Sequence, residues 1–129
     1  MADVNRGNRP LSPFMIGPYY RPQITSMMSI AHRLTGIGLT LGALMVVWWL
    51  LAAATDSGYF DIIDDLWTSW IGHLVWLGLT LAFSYHLLNG IRHLMWDTGY
   101  GMDIPSVERS GKAVLVGTVV LTVVIWIVA

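Results

Sequence analysis

The chain has 129 residues, 55% hydrophobic and only 12% charged, with a net charge of −1. That is too apolar for a water-soluble domain of this size, and it points to an integral membrane protein with no footing for nucleic acid. The absence of cysteine excludes disulfides, thiolate-bound zinc and iron–sulfur clusters held by this chain, leaving histidine as the soft metal ligand.

Residues 1–24 read as a polar, turn-rich arm outside the bilayer. Pro10, Pro13, Pro18 and Pro22 forbid a long helix there. Leu11, Phe14, Met15, Ile16, Tyr19 and Tyr20 are too apolar for a solvated tail, so the arm is expected to lie on the membrane surface or against another subunit. The first ten residues lack the apolar core and cleavage site of a signal peptide and are too short and polar for a transit peptide, so they read as mature sequence.

Residues 25–129 read as a transmembrane domain of three helices spanning about 25–54, 66–95 and 110–129. Thr25 or Ser26 is expected to cap the first. Its uncharged run, Leu34 to Ala54, covers about 31 Å at 1.5 Å per residue, enough to cross the hydrocarbon. Gly36, Gly38 and Gly42 along it admit a close neighbour, and Trp48 and Trp49 suit an interfacial belt. Thr55 to Asp65, with four aspartates and no lysine or arginine, reads as a loop. The second span is longer than a bilayer requires, so it is tilted or projects beyond the interface. Asp97 to Lys112 reads as the next loop, with Gly99, Gly101 and Pro105 as breakers. Arg6, Arg9 and Arg21 precede the first span and Arg109 and Lys112 the third. The positive-inside rule therefore predicts a cytoplasmic N-terminus, with the acidic loop and C-terminus outside. The expected class is an all-α membrane protein that joins a heteromeric helical bundle, since three helices are few for enclosing a pathway alone.

The chemistry concentrates in two stretches. On the second helix His86 and His93 lie seven residues apart, on one face but about 10.5 Å apart along the axis. They cannot clamp one iron. If His86 binds haem, its second ligand comes from elsewhere, and Gly90, one turn on, removes a side chain where a macrocycle would lie. The residues alone leave this open against a simple hydrogen bond across a helix interface, the reading preferred for His73. His93 and Arg92 lie toward the headgroups, where they would meet haem propionates or a quinone, or where Arg92 would snorkel. On the first helix Ser29, His32, Arg33 and Gly36 follow the spacing i, i+3, i+4, i+7. A hydroxyl and a guanidinium there can hydrogen-bond a quinone carbonyl and stabilise the charge that develops on reduction.

The runs Arg9-Pro10-Leu11-Ser12-Pro13, Tyr20-Arg21-Pro22-Gln23-Ile24-Thr25, Ser29-Ile30-Ala31-His32-Arg33-Leu34-Thr35-Gly36 and Tyr85-His86 through His93-Leu94-Met95-Trp96-Asp97 resemble the cytochrome b membrane anchor family of succinate dehydrogenase, respiratory complex II. The similarity covers essentially the whole chain. Pro13-Phe14-Met15 departs from the Pro-His-Leu common in that family, which bears on the arm alone. The resemblance implies that His86 is an axial ligand to the iron of haem b, the other coming from a second small membrane anchor subunit. It implies that Ser29 and Arg33 line a ubiquinone pocket completed by the iron–sulfur subunit and the other anchor, and that His32, Arg33 and His93 lie near the haem propionates. The chain would anchor the flavoprotein and iron–sulfur subunits in the tricarboxylic acid cycle and aerobic electron transport, with no catalytic residue for succinate of its own. The expected location is the bacterial inner membrane rather than the mitochondrial one. Two rivals remain at this stage: another b-type cytochrome with His32 and His86 both ligating, and a haem-free structural anchor.

Overall fold

The computed structural model describes residues 22–128; the expectations for residues 1–21, the proline-rich arm included, lie outside them. Among the described residues the chain is all helical: α1 (Ile24–Thr55), α2 (Ser57–Thr68), α3 (Trp70–Asp97) and α4 (Ile104–Val128). Helices α1, α3 and α4 are long and apolar enough to cross a membrane.

Local chemistry sets each boundary. Helix α1 begins one residue before the expected caps, with Gln23 at the N-cap, and Ser26 lies inside the first turn, where its hydroxyl donates to the Gln23 carbonyl at 2.9 Å. The acidic stretch expected as a loop is the helix α2. Asp56 closes α1 by donating its backbone N–H to the Ala52 carbonyl, and opens α2 by accepting from the Tyr59 N–H at 2.9 Å. Phe60, Ile63, Asp64 and Trp67 recur at helical spacing, and Ile63 is buried. This face meets α1: Trp49 contacts the Phe60 ring and donates to Asp64 Oδ1 at 3.2 Å, while Trp48 meets Trp67 edge-on. The aspartates hid an amphipathic period.

Ser69 caps α3 by accepting from the Gly72 N–H at 3.2 Å. The corner there is tight, because a Cβ at position 72 would overlap the Trp67 carbonyl. Gly99 and Gly101 take positive φ (84° and 73°) and do break the chain after α3. Pro105 instead lies in the first turn of α4, where the missing N–H has no intrahelical acceptor to lose. Asp103 caps that helix, accepting from the Ser106 N–H at 3.0 Å, and hydrogen bonding by Ser106, its hydroxyl first and its N–H second, holds the carboxyl below the usual range.

Helix α3 packs against both α1 and α4, which touch each other less. The shared core is small, built on Met28, Tyr85 and Val114. Small and polar residues do the rest, as expected where lipid removes the hydrophobic drive between helices. Tyr85 donates to the Met28 carbonyl at 2.7 Å, and Thr122 to the Ser84 hydroxyl at 3.2 Å. Most large apolar side chains face outward, Leu34, Leu44 and Ile127 among them.

Candidate functional site

Gly36 makes the site possible: a Cβ there would stand 3.2 Å from Cε1 of His86, so the imidazole packs directly on the α1 backbone. His86 Nδ1 lies 3.2 Å from the His32 carbonyl and 3.1 Å from the Thr35 hydroxyl. That hydroxyl is 2.9 Å from the carbonyls of both Ala31 and His32, so its proton is directed there. A carbonyl can only accept, so His86 Nδ1 carries the proton and the lone pair falls on Nε2. Histidine metal ligands are commonly oriented in this way, one nitrogen held by a backbone acceptor and the other left for the metal. The open space around Gly90, where an added Cβ would meet nothing within 4 Å, fits a flat group lying near this part of α3.

His32 stacks on His86 with ring centroids 3.9 Å apart and planes within 9°, and lies 5.6 Å from the His93 ring. His93 meets Trp96 edge-on at 5.1 Å, and the Arg92 guanidinium sits 4.0 Å over the Trp96 ring. Three histidines that the sequence placed on two helices therefore form one column. Stacked rings turn their faces, not their lone pairs, toward each other, so His32 and His86 do not bracket a common iron as they stand. The Nδ1 of His32 is buried without a partner among the described residues.

The stripe expected on α1 divides. His32 and Gly36 turn into α3, while Arg33 is exposed and Ser29 half-buried, because neighbouring residues differ by about 100° around a helix. Neither the Ser29 hydroxyl nor the Arg33 guanidinium makes a hydrogen bond among the described residues. Asp97 ends α3, exposed.

Arg92 is the residue whose place the sequence reading missed. It is 4% exposed, turned into the bundle rather than snorkelling outward. Its Nε donates to the Ser110 hydroxyl at 2.9 Å, Nη2 to the Val107 carbonyl at 2.8 Å and Nη1 to Asn89 Oδ1 at 3.3 Å, with Met28 Sδ at 3.7 Å. It joins α3 to α4 without a carboxylate among the described residues. Asn89 one turn earlier was the available signal; the α4 partners were not foreseeable. His73 also differs from expectation: its Nδ1 lies 2.9 Å from the Ser69 carbonyl of its own helix start, and its contact across the interface is with the Trp126 ring at 6.4 Å.

The family model for the succinate dehydrogenase/fumarate reductase transmembrane subunit matches residues 5–125. The chain belongs to this family. Within it, the chain is 45% identical over 128 residues to the succinate dehydrogenase cytochrome b556 subunit of Paracoccus denitrificans, covering 99% of this chain and 97% of that one. The corresponding subunit of Rickettsia conorii is 40% identical over 119 residues, 92% of this chain and 91% of the relative. The mitochondrial cytochrome b560 subunit of Homo sapiens is 40% identical over 114 residues, 87% of this chain and 66% of the relative. Like other members of the succinate dehydrogenase/fumarate reductase transmembrane family, the chain is a multi-pass membrane protein, and its bacterial relatives identify the membrane as a bacterial inner membrane.

Proposed function

We propose that this subunit holds haem b through Nε2 of His86, shares the iron with a histidine of a second small membrane anchor subunit, and forms part of the site where ubiquinone is reduced. The observation that carries the reading is the pairing of His86 Nδ1 with the His32 carbonyl, which leaves Nε2 as a free lone pair. When bound, haem b supplies reversible one-electron chemistry at its iron. The His32 carbonyl and Thr35 fix the ring and make Nε2 a better donor. Gly36 gives the ring its seat, and Gly90 keeps clear the α3 surface one turn away.

Ser29 and Arg33 serve the quinone. The Ser29 hydroxyl donates to one carbonyl oxygen, and the fixed positive charge of Arg33 stabilises the negative charge that gathers there as electrons arrive. His32 and His93, with Arg33, form the polar side of the site facing the propionates. Two electrons and two protons convert the quinone to the quinol, the electrons coming from an iron–sulfur subunit that, with the flavoprotein, docks where α1 begins. That face is cytoplasmic, in keeping with Arg109 and Lys112 before the third span. Succinate chemistry belongs to the flavoprotein.

His86→Ala in the purified complex should abolish the b-type α-band of the reduced-minus-oxidised spectrum. An unchanged band with normal haem content would overturn the ligand assignment.

A further inference from the structure

Three cavities open in succession along one side of the bundle, beginning at α2. The first, about 250 Å³, is lined by Trp49, Asp64, Trp67, Thr68, His73 and Trp76. It shares His73 and Trp76 with a second of about 290 Å³, which shares Trp76, Thr80 and Ile125 with a third of about 340 Å³. The third is lined by Leu39, Ala43, Val46, Leu79 and Phe83. Polar and aromatic walls thus give way to aliphatic ones. From His73 to Phe83 the groove follows ten residues of α3, about 15 Å, the depth of one bilayer leaflet.

The polar end selects for charge. Asp56, Asp61, Asp64 and Asp65 lie in or beside α2, and no lysine or arginine occurs from residue 34 to residue 91. Asp64 is half-buried and uses Oδ1 to accept from Trp49, and its other oxygen has no partner among the described residues. Trp49, Trp67 and Trp76 line the same cavity, and aromatic walls are surroundings in which a cation can be held. An unmatched carboxylate, aromatic walls and a leaflet-deep apolar channel together describe one molecule.

We infer that this groove binds a phospholipid with a primary ammonium headgroup, its ammonium at Asp64 and one acyl chain along α3 toward Phe83. A neutral quinone head would leave the carboxylate unmatched, and a purely anionic headgroup would be repelled by Asp64, which lines the cavity. The ammonium end, at His73, lies thirteen residues of α3 or about 20 Å from His86, and it is argued from Asp64 without the haem and quinone assignments; the inner end of the channel, at Phe83, lies one turn from His86.

The test uses the intact detergent-solubilised complex, stripped of lipid and offered phosphatidylethanolamine or phosphatidylglycerol with identical acyl chains, with retained lipid counted by mass spectrometry. Wild type should retain phosphatidylethanolamine with roughly a tenfold preference, the scale of one desolvated cation contact. Asp64→Asn keeps the acceptor for Trp49 and should bring the ratio toward one, and Asp64→Glu should keep the preference. Ala43→Phe narrows the channel and should lower retention of both lipids. Equal retention of the two lipids by wild type, or an unchanged ratio in Asp64→Asn, would overturn the proposal. So would cross-linking of Ala43→Cys to a neighbouring subunit along the groove.

Discussion

The two seams of α3 use the same kinds of residue to different ends. Toward α4, Arg92, Ser84, Ser110 and Thr122 spend their hydrogen bonds on one another, on Asn89 or on backbone, and only Asn89 Nδ2 is left buried without a partner among the described residues. Toward α1, among the described residues, His86 Nε2 has no partner, His32 holds an unpartnered Nδ1, and Ser29 and Arg33 are uncommitted. A polar group in a membrane costs free energy until it is paired. Where the partners are internal, the group holds helices together; where the uncommitted groups cluster, as around His86, they are the ones proposed to meet the haem and the quinone. Arg92 is buried and fully engaged, whereas Arg33, the one proposed to meet the quinone, is exposed.

Substitutions on the open seam should therefore damage chemistry, and those on the closed seam stability. Arg33→Ala should cut succinate-driven quinone reduction by about a hundredfold, the scale for losing one preorganised charge donor. Succinate oxidation by an artificial acceptor should hardly change; equal losses in the two assays would mean that Arg33 serves assembly. Arg92→Leu should cost about 2–4 kcal/mol, since it leaves Asn89 Oδ1 buried without a donor and removes the charged donors that tie α3 to Ser110 and Val107 of α4. Thermal unfolding of the solubilised complex reads this, and Arg92→Lys should recover little because a single ammonium cannot reproduce the fork. If Arg92→Leu instead left stability intact and stopped quinone reduction, the division between the seams would fail.

A smaller effect is expected at Gly36→Val, whose side chain would push the His86 ring off α1. Haem affinity should fall by about tenfold, as for other losses of support behind a ligand, measured by haem retention under competing apoprotein. Smallest of all, Thr122→Val removes one hydroxyl pair on the closed seam and should cost about 0.6 kcal/mol, with the spectrum unchanged.

The long apolar runs made three spans legible in the sequence, and helical spacing alone showed that His86 and His93 cannot share an iron. Distances across helices were out of reach. Nothing local to His32 reveals that it stacks between the other two, and nothing local to Arg92 reveals Ser110 and Val107, which arrive from a separate helix. The missed helix α2 has another cause. Its aspartates suggested a solvated loop, yet Phe60, Ile63 and Trp67 carried the period that decided the fold, and Asp56 supplied the cap. The same holds for Pro105, a breaker by composition that becomes a starter once Asp103 caps the turn before it.

The length of α1 has a consequence for traffic. Its 32 residues extend about 48 Å, against a hydrocarbon layer of about 30 Å. The uncharged run from Leu34 fills that layer, so Ser29, His32 and Arg33 stand at its threshold. With Arg33 serving the quinone as proposed, a greasy molecule sliding sideways through the lipid would reach it by rising only to the waterline, and protons would reach the same spot from the aqueous side without entering oil. The surplus turns of one helix would then let two immiscible supplies meet.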